Sequence, residues 1–537
     1  MAVGTAAREI RLELTNQKTQ VFFSMNPLTQ RGSHRIEEHA QSLRELGHQY
    51  LARDELRLAE AAFRQALEIE PDWQCVKVDL GCLLQRQSNY AEAEPILRQA
   101  LYRDPQAEFA HNALGLLCWD TNRLNEAETH YRKAIRVRPD FYEAQNNLGL
   151  LLMNTNRLQE AEIAFRQALT INATVHEIHS NYGSVLRQLG RVEEAVAAFR
   201  QALSLNPHSV AAKTNLAQAL LAFGVYEEGW SMYESRLDPT LNGHYGEAPL
   251  LPWPMWSGEP LVGKSLIIWP EQGYGDVLQF CRYAPMLKAL GLETLSIACQ
   301  PSLERLFHSL DGVDCVYSLN GEGTIARHDY WCFVMSLPHR FGTTLDTIPA
   351  STPYLRAPRD LILRWRNWLP PGRLRVGLVW AGDPRLHTPA SNAMDQRRSV
   401  SAETFLPILG VPGITFVSLQ KGAIAEKQID NLPAELRPFD PMSVVEHFGD
   451  TAAIIESLDL VIAVDTSVAH LAGALNRPVW VLSRYGSCWR WLGARPDSPW
   501  YPSMRLFRQR ELGDWEPVIE EVRQALIEWC ASRPALV

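Results

Sequence analysis

A spacing of 34 residues constrains the N-terminal half of this chain more than any other feature of its sequence. Three series of small residues recur at that interval, one of glycine and two of alanine: Gly47, Gly81, Gly115, Gly149 and Gly183; Ala59, Ala93, Ala127, Ala161 and Ala195; Ala66, Ala100, Ala134, Ala168 and Ala202. A large side chain lies between the two alanines of every unit: Phe63, Leu97, Tyr131, Phe165 and Phe199. Five matching units at one period predict a solenoid in which each unit packs on its neighbours.

The residue types in this repeat fit two antiparallel helices per unit. Small residues allow the helices to approach closely, the large side chain fills the space between them, and a proline ends the second helix. Four units have that proline (Pro71, Pro105, Pro139 and Pro207), and Ala173 takes its place in the remaining one. Period, residue type and order are those of the tetratricopeptide repeat (TPR). We therefore predict TPR repeats over residues 37–242, five clear and one degenerate, after an N-terminal extension over 1–36.

Three asparagines recur at the same interval on the first helix of successive units: Asn147, Asn181 and Asn215. An asparagine amide offers both a donor and an acceptor, so such a ladder can bind the backbone of an extended polypeptide without selecting its sequence. We predict that these side chains bind a polypeptide partner. The alternative is that asparagine is tolerated at an exposed helical position, because the earlier units have other residues there: Glu45, Asp79 and Ala113.

Composition excludes several classes of protein. A length of 537 residues predicts three or four domains at roughly 150 residues each. The net charge of −9 argues against nucleic-acid binding, and no apolar run reaches the roughly 18 residues of a membrane span. Nine cysteines without a CxxC pair or zinc-like spacing are typical of buried thiols in a reducing compartment, so we expect a cytoplasmic protein.

A segment rich in proline and glycine, 243–263, is predicted to link the repeats to the rest of the chain. Residues 258–265 (GEPLVGKS) match the phosphate-binding pattern GxxxxGK[ST]. That pattern works only between a preceding strand and a following helix, whereas here a strand-like segment follows it. We therefore do not assign ATP binding to this segment.

Beyond the linker, short apolar runs alternate with helical stretches. The predicted strands are 266–269, 294–298, 313–317, 330–335, 375–380, 414–419, 460–464 and 479–482. Such alternation predicts parallel sheets covered by helices on both faces. The predicted fold class is α plus α/β: a TPR α-solenoid followed by two doubly wound α/β domains, 264–358 and 372–511, with a connection at 359–371 and a C-terminal helix over 512–537.

Two loops at predicted strand ends have the composition of ligand-binding loops. Residues 270–277 (PEQGYGDV) contain two glycines that permit a tight turn, with Asp276 either an N-cap of the next helix or a functional carboxylate. Residues 464–470 (VDTSVAH) lie between a strand and a helix, where free amides and hydroxyls favour an anion. Capping of the helix is the alternative there too, and His470 is either packed or in contact with the ligand.

Two cations follow neighbouring predicted strands of the second domain. Arg398 ends a polar loop after 375–380, and Lys421 follows 414–419. Cations at strand ends around one cleft neutralise a diphosphate. A surface lysine or arginine that is merely solvated is the alternative for each one separately.

These segments resemble those of a known family, the TPR-containing glycosyltransferases of the GT-B class. Residues 269–276 (WPEQGYGD), followed by Gln279-Phe280 and Arg282-Tyr283, are similar to the EQG-GD-QF-RY signature of bacterial members. Residues 464–475 with 478–480 resemble their VDTxxAHLAGAL and PVW segments, of which a related form occurs in heptosyltransferases of lipopolysaccharide synthesis. Residues 496–502 (PDSPWYP) also resemble this group, and the likeness covers roughly residues 40 to 510.

The resemblance implies roles for individual residues. Asp276 matches the catalytic base of the heptosyltransferases. Lys421 lies near the lysine that holds the donor pyrophosphate in protein O-GlcNAc transferases, and Arg398 lies near a basic residue with a similar task. The complete implied donor-binding set is Gln272, Gly273, Gly275, Arg398, Lys421, Asp465, Thr466, Ser467 and His470. The family often has an acidic residue before Trp-Arg-Trp, where this chain has Cys488.

The favoured function from sequence is an inverting glycosyltransferase that uses a nucleotide-sugar substrate, without a resident cofactor or metal, to modify a polypeptide bound by the repeats. No DxD metal-binding motif occurs at a strand end. UDP-GlcNAc, ADP-heptose and CMP-linked nonulosonic acids remain open as donors, and flagellin is an acceptor that the resemblance implies. Two alternatives also remain: a TPR scaffold with an inactive GT-B domain, and a transferase of cell-surface glycans or heptose.

Overall fold

The computed structural model describes residues 30–241, 249–321, 324–386, 389–486, 488–493 and 495–533. Residues 1–29 of the expected N-terminal extension and 243–248 of the expected linker therefore lie outside the described residues. The chain divides into two compact units, Met1–Asn122 and Arg123–Val537.

A TPR helical solenoid forms the N-terminal part of the chain, as the 34-residue period predicts. In the first unit the helices are α1 (Gln30–Ala52), α2 (Leu56–Ile69), α3 (Gln74–Arg86), α4 (Tyr90–Arg103) and α5 (Glu108–Asp120). In the second unit they are α6 (Leu124–Val137), α7 (Tyr142–Asn154), α8 (Leu158–Ile171), α9 (His176–Gln188), α10 (Val192–Leu205), α11 (Val210–Phe223) and α12 (Tyr226–Tyr233).

Close packing within each helical pair explains the repeated glycine. A Cβ atom on Gly149 would lie 2.7 Å from the ring of Phe165, a separation that real Cβ atoms essentially never show. The same clash would occur between Gly47 and Phe63 in the first unit, at 2.4 Å. The large residue of the second helix therefore occupies the space that the glycine of the first helix leaves free.

The turn inside each repeat has a second periodicity that the sequence analysis did not use. One residue per turn has a left-handed backbone, with φ between 59° and 79°: Asp54, Ser88, Asn122, Asn156, Gly190 and Gly224. They are 34 residues apart, and most are of the types that adopt this conformation at low cost. A repeat position that holds only aspartate, serine, asparagine or glycine therefore indicates the turn between the two helices.

The second unit also contains two sheets in which all strand pairs are parallel, as predicted. The first sheet consists of β1 (Ser265–Trp269), β2 (Thr294–Cys299), β3 (Cys315–Ser318) and β4 (Tyr330–Phe333), in the order β3-β2-β1-β4. Its helices are α13 (Tyr274–Phe280), α14 (Ala284–Ala289), α15 (Pro301–Phe307) and α16 (Leu337–Arg340). The connecting helix α17 (Arg359–Trp368) falls within the predicted connection.

The second sheet consists of β5 (Leu374–Val379), β6 (Ile414–Ser418), β7 (Leu460–Val464), β8 (Val479–Ser483) and β9 (Met504–Arg508), in the order β6-β5-β7-β8-β9. Its helices are α18 (Pro389–Arg398), α19 (Leu406–Leu409), α20 (Ala423–Glu426), α21 (Phe448–Glu456), α22 (Ser467–Ala474) and α23 (Glu516–Ala531). Strand β9 is absent from the sequence prediction because Arg505 and Arg508 leave only Leu506-Phe507 as an uninterrupted apolar pair within it.

The strand β1 begins at Ser265, directly after Gly263-Lys264, so the GxxxxGK[ST] match lacks the helix that a phosphate-binding loop requires.

All nine cysteines are free thiols. The expectation that they are buried is wrong for Cys75 and Cys315, which are exposed.

The last repeat is joined to both sheets by an aromatic cluster. Trp230 of α12 is buried and contacts Phe280, Trp489 and Trp500, with ring centroids 5.3 to 6.5 Å apart. Its edge-to-face contacts are of the kind that stabilise aromatic pairs beyond their buried area. The degenerate sixth repeat thus replaces the usual repeat-to-repeat surface by a core shared with the α/β region.

Candidate functional site

The order of the strands indicates where ligands bind. In the first sheet the connections diverge between β1 and β4, and in the second between β5 and β7. Ligands of doubly wound sheets bind beyond the carboxyl ends of the strands at such a point. The loops there are the two that the sequence analysis selected: 270–276 after β1, and 465–467 after β7.

Asp276 lies in the first turn of α13, three residues after the N-cap Gly273. Its Oδ2 accepts a hydrogen bond from the Gly273 N–H at 2.9 Å, half of a capping box. Its Oδ1 forms an ion pair with Arg490, and 15% of the Asp276 side chain is exposed. The carboxylate therefore caps a helix end and pairs with a cation that sequence reasoning did not assign to it.

Arg490 belongs to a Trp-Arg-Trp segment whose three side chains have different partners. Trp489 packs on Trp230 of the last repeat, Arg490 reaches Asp276, and Trp491 stacks on His470 with centroids 5.0 Å apart. Burial lowers the pKa of Arg490, but Asp276, Cys488 and Tyr233 together outweigh this effect and raise the pKa overall. Cys488 accepts a hydrogen bond from Arg490 at 3.2 Å, so the residue that departs from the family pattern contacts the same guanidinium.

Glu271, in the same loop, is paired inside the protein. Its carboxylate accepts two hydrogen bonds from Arg236, at 2.7 and 3.0 Å, and one from the Met335 N–H at 3.1 Å. The Glu271 side chain is 1% exposed and that of Arg236 is 0% exposed. Burial raises the pKa of Glu271, and Arg236 opposes that rise. Glu271 therefore anchors the loop after β1 to Arg236 and to the Met335 backbone, and it is not accessible to a substrate.

His470 joins the two sheets instead of facing an open cleft. A Cβ atom on Gly275 of α13 would lie 2.8 Å from its ring, so only glycine permits this approach of α13 to α22. The His470 Nδ1 lies 3.0 Å from the Tyr501 hydroxyl. Burial, followed by the charges of Arg490 and Arg282, lowers the pKa of His470 well below its usual value. The imidazole is therefore a neutral packing group.

Thr466 is the N-cap of α22 and has an extended backbone, but its side chain does not cap the helix. Its Oγ1 is buried without a hydrogen-bond partner, although a buried hydroxyl normally has one. Ser467 is the first residue of the helix, where free backbone N–H groups favour an anion. The unpaired hydroxyl and the free amides together fit a phosphate oxygen.

Arg398 lies between the loops that follow β5 and β7. Its Nη1 donates to the backbone oxygen of Asp465 at 3.1 Å, and its Nε donates to Asp395 at 2.9 Å. A Cβ atom on Gly382 would lie 2.3 Å from its Nη2. This guanidinium is therefore next to the start of α22, at the point where the connections of the second sheet diverge.

Two residues of the predicted donor set have other partners. Lys421 Nζ donates to the backbone oxygens of Met442 and Val445, at 2.6 and 3.1 Å. Gln272 donates to the Tyr233 hydroxyl at 2.8 Å. Both side chains are therefore held by protein partners in the unliganded chain, and their assignment to the donor set stays a prediction.

The asparagine ladder is half-buried and partly occupied by contacts between repeats. Asn181 donates to Asn146 at 2.9 Å, and Asn215 donates to the hydroxyl of Ser180 at 3.4 Å. Asn147 is likewise half-buried. These bonds stabilise the stacking of successive repeats and use part of the hydrogen-bonding capacity of the amides.

Arg484 was not selected from the sequence, although it follows β8 as Asp465 follows β7. The residue is 8% exposed, and its Nη1 donates to the Gly486 backbone oxygen at 3.1 Å. A rule that inspects the residue after each parallel strand would have found it. Next to it, a cavity of about 660 Å³ is lined by repeat residues such as Ile163 and by Tyr485.

Comparison with known proteins identifies the repeats. Models of the tetratricopeptide repeat match residues 78–136, 119–175 and 176–209. Protein FlbA of Caulobacter vibrioides is 31% identical over 329 residues, which cover 57% of this chain and 53% of FlbA. The match thus spans about half of the length of that relative.

Several solved structures are similar to a part of this chain. One is PilF of Pseudomonas aeruginosa, with a TM-score of 0.35 and 20% identity over 38% of this chain and 94% of PilF. Another is a thermophilic TPR protein of Thermus thermophilus, with a TM-score of 0.32 and 23% identity over 34% and 99%. The repeat models carry the assignment of the N-terminal part. No helix in the described ranges has the length and apolar character to cross a membrane.

Proposed function

We propose that the chain is a glycosyltransferase that transfers a sugar from a nucleotide-sugar donor to a hydroxyl group of a polypeptide held by the repeats. The observation that supports this proposal most strongly is the packing of α13 on α22 through Gly275 and His470. That packing sets α13, which carries Asp276, against α22, which begins at Ser467 after its N-cap Thr466, and we therefore assign the carboxylate and the helix start to one site. A carboxylate opposite an anion-binding helix start is what an inverting transfer requires.

In the proposed reaction Asp276 accepts the proton of the acceptor hydroxyl, and the hydroxyl oxygen forms a bond to the anomeric carbon. The bond from that carbon to the phosphate oxygen breaks on the opposite face, and the nucleotide leaves with the electron pair. Arg398 and the first amides of α22 stabilise the charge that develops on the phosphate. The Gly273 N–H orients the carboxylate, while Arg490 neutralises its charge until the acceptor binds.

Intact-mass analysis tests this function. The full chain is incubated with a co-expressed candidate acceptor, flagellin included, and with UDP-GlcNAc, ADP-heptose or a CMP-linked nonulosonic acid in separate reactions. The proposal predicts that one donor increases the mass of the acceptor by whole sugar residues. The absence of both a mass increase and donor hydrolysis with all three donor classes would contradict it.

The polypeptide acceptor requires a test of its own. Replacing Asn147, Asn181 and Asn215 together by alanine is expected to reduce transfer to the acceptor and to leave donor hydrolysis unchanged. The melting temperature of the triple variant is the control, because Asn181 and Asn215 also bind neighbouring repeats. Equal loss of both activities at an unchanged melting temperature would remove the ladder from acceptor binding.

A scaffold with an inactive transferase region is a second candidate, and the Asp276–Arg490 pair favours it. Both carboxylate oxygens of Asp276 already have partners, as in a structural aspartate. A scaffold would bind a nucleotide without turnover, and its nucleotide affinity would not depend on Asp276. Turnover that is lost in Asp276→Asn excludes this candidate.

A further inference from the structure

Three guanidinium groups converge at the carboxyl edge of the second sheet. Arg397 and Arg398 end α18, and Arg484 follows β8. Of the three, only Arg398 forms an ion pair among the described residues, with Asp395. Arg397 donates to the amide oxygen of Asn156, and Arg484 donates to a backbone oxygen.

The positive charge at this edge is poorly compensated. Arg397 Nε is buried without a hydrogen-bond partner. Burial and the charges of Arg484 and Arg187 lower the pKa of Arg397 to about 9. Burial also lowers the pKa of Arg484; Cys488 and Asp465 oppose this fall only in part, and the charge of Arg398 adds to it. Buried cations normally have charged partners, so a cluster of this kind fits an anionic ligand.

Two consecutive repeat turns hold the segments that carry these arginines. In the α7–α8 turn, Asn156 accepts from Arg397 at 3.0 Å and donates to the Gln396 side chain at 3.0 Å. The α9–α10 turn lies against the segment after Arg484, because a Cβ atom on Gly486 would be 2.4 Å from the Gln188 backbone oxygen. In the same turn, a Cβ atom on Gly190 would be 3.3 Å from the Tyr485 ring.

We propose that the repeats complete an anion site: the α7–α8 and α9–α10 turns position Arg397 and Arg484, which bind a phosphate-type dianion together with Arg398. Guanidinium groups bind phosphate in a bidentate way, and their orientation determines the affinity. The identity of the dianion as the donor diphosphate rests on the proposed function. Repeats in this chain would then contribute to donor binding as well as to acceptor binding.

The left-handed turn position offers a matched pair of variants. Asn156→Gly removes the amide that holds Arg397 but permits the same backbone conformation, with φ at 62°. Asn122→Gly makes the same change one repeat earlier, at φ 59°. Binding of inorganic pyrophosphate to the full chain is measured by titration calorimetry at fixed ionic strength. Asn156→Gly is expected to weaken binding by about tenfold, the effect of one hydrogen bond to a charged group, and Asn122→Gly by less than twofold.

A second pair separates specific binding from the loss of a charge. Arg484→Gln is expected to weaken pyrophosphate binding by more than tenfold. Arg523→Gln removes the same charge from a surface ion pair with Glu520 on α23 and is expected to have little effect. Melting temperatures without pyrophosphate show that each variant is folded. Equal affinities in Asn156→Gly and Asn122→Gly, or no binding by the unmodified protein at millimolar pyrophosphate, would overturn the proposal.

The outcomes distinguish this inference from the proposed function. If the protein transfers sugar but its two glycine variants bind pyrophosphate equally well, only the proposed role of the repeats is refuted. If pyrophosphate affinity depends on Asn156 but the protein transfers no sugar, only the proposed transferase activity is refuted.

Discussion

The carboxyl edges of the two sheets differ in how their charges are compensated. At the first edge each carboxylate has a guanidinium partner: Glu271 pairs with Arg236, and Asp276 with Arg490. At the second edge the cations exceed the anions, and the Thr466 hydroxyl has no partner. The first edge is complete within the chain, whereas the second has the composition of a site that an anion completes. Variants at the first edge should therefore affect stability or catalysis, and those at the second should affect ligand binding.

The largest effect is expected for Asp276→Asn. The amide keeps the size of the side chain but cannot accept a proton, and loss of a general base typically reduces a rate by about 10²–10⁴-fold. Sugar transfer under saturating donor is the measurement, with donor affinity as the control. If Asp276 is only structural, the variant keeps its full rate and loses stability alone, from the weakened helix cap and from the Arg490 guanidinium left without its carboxylate.

Arg236→Met tests whether the first edge is complete within the chain. The change leaves the Glu271 carboxylate buried without its cation, which typically costs about 3–5 kcal/mol. Denaturant unfolding measures the loss of free energy. Arg523→Gln, at an exposed pair on α23, is the control and should remain close to the unmodified protein. Similar unfolding of Arg236→Met and the control would show that the buried pair contributes nothing.

The contact between the edges predicts a pH dependence of stability. The folded protein keeps His470 neutral because burial, Arg490 and Arg282 lower its pKa, whereas the unfolded chain binds a proton near pH 6.5. Below that pH the unfolded state holds more protons, so stability falls as the pH falls, by up to about 2 kcal/mol at pH 5.

His470→Phe should make the unfolding free energy less dependent on pH between 6.5 and 5. Part of the dependence should remain, because burial also lowers the pKa of His328 and His339. Unfolding curves at several pH values measure both slopes. An unchanged slope in His470→Phe would show that the imidazole is accessible to protons in the folded state.

The smallest effect is expected for Thr466→Ala at the second edge. Its hydroxyl has no partner in the unliganded protein, so removing it should leave the melting temperature nearly unchanged. Pyrophosphate binding should weaken by about 0.5–1.5 kcal/mol, the contribution of one hydrogen bond. Loss of stability without loss of affinity would instead identify Thr466 as a structural residue.

Periodic features of this chain could be predicted from its sequence, and contacts between distant segments could not. The 34-residue period predicts the repeats because each unit contacts only its neighbours. The runs that became β1 to β8 were recognised because buried parallel strands are continuously apolar. In contrast, Arg490 lies 214 positions from Asp276, and no local pattern links them. Lys421 follows a strand, as a phosphate ligand would, but only the tertiary structure reveals its backbone partners.

A crystal structure with a bound nucleoside diphosphate tests the central claim, that the second edge binds the donor phosphate opposite Asp276. The phosphates are predicted to contact Arg398 and the Thr466 hydroxyl, with the first amides of α22 directed at the phosphate nearer the sugar. The Asp276–Arg490 pair should remain in place when no acceptor is present. Phosphates bound to Arg490 in place of Asp276, or bound away from both edges, would contradict the account.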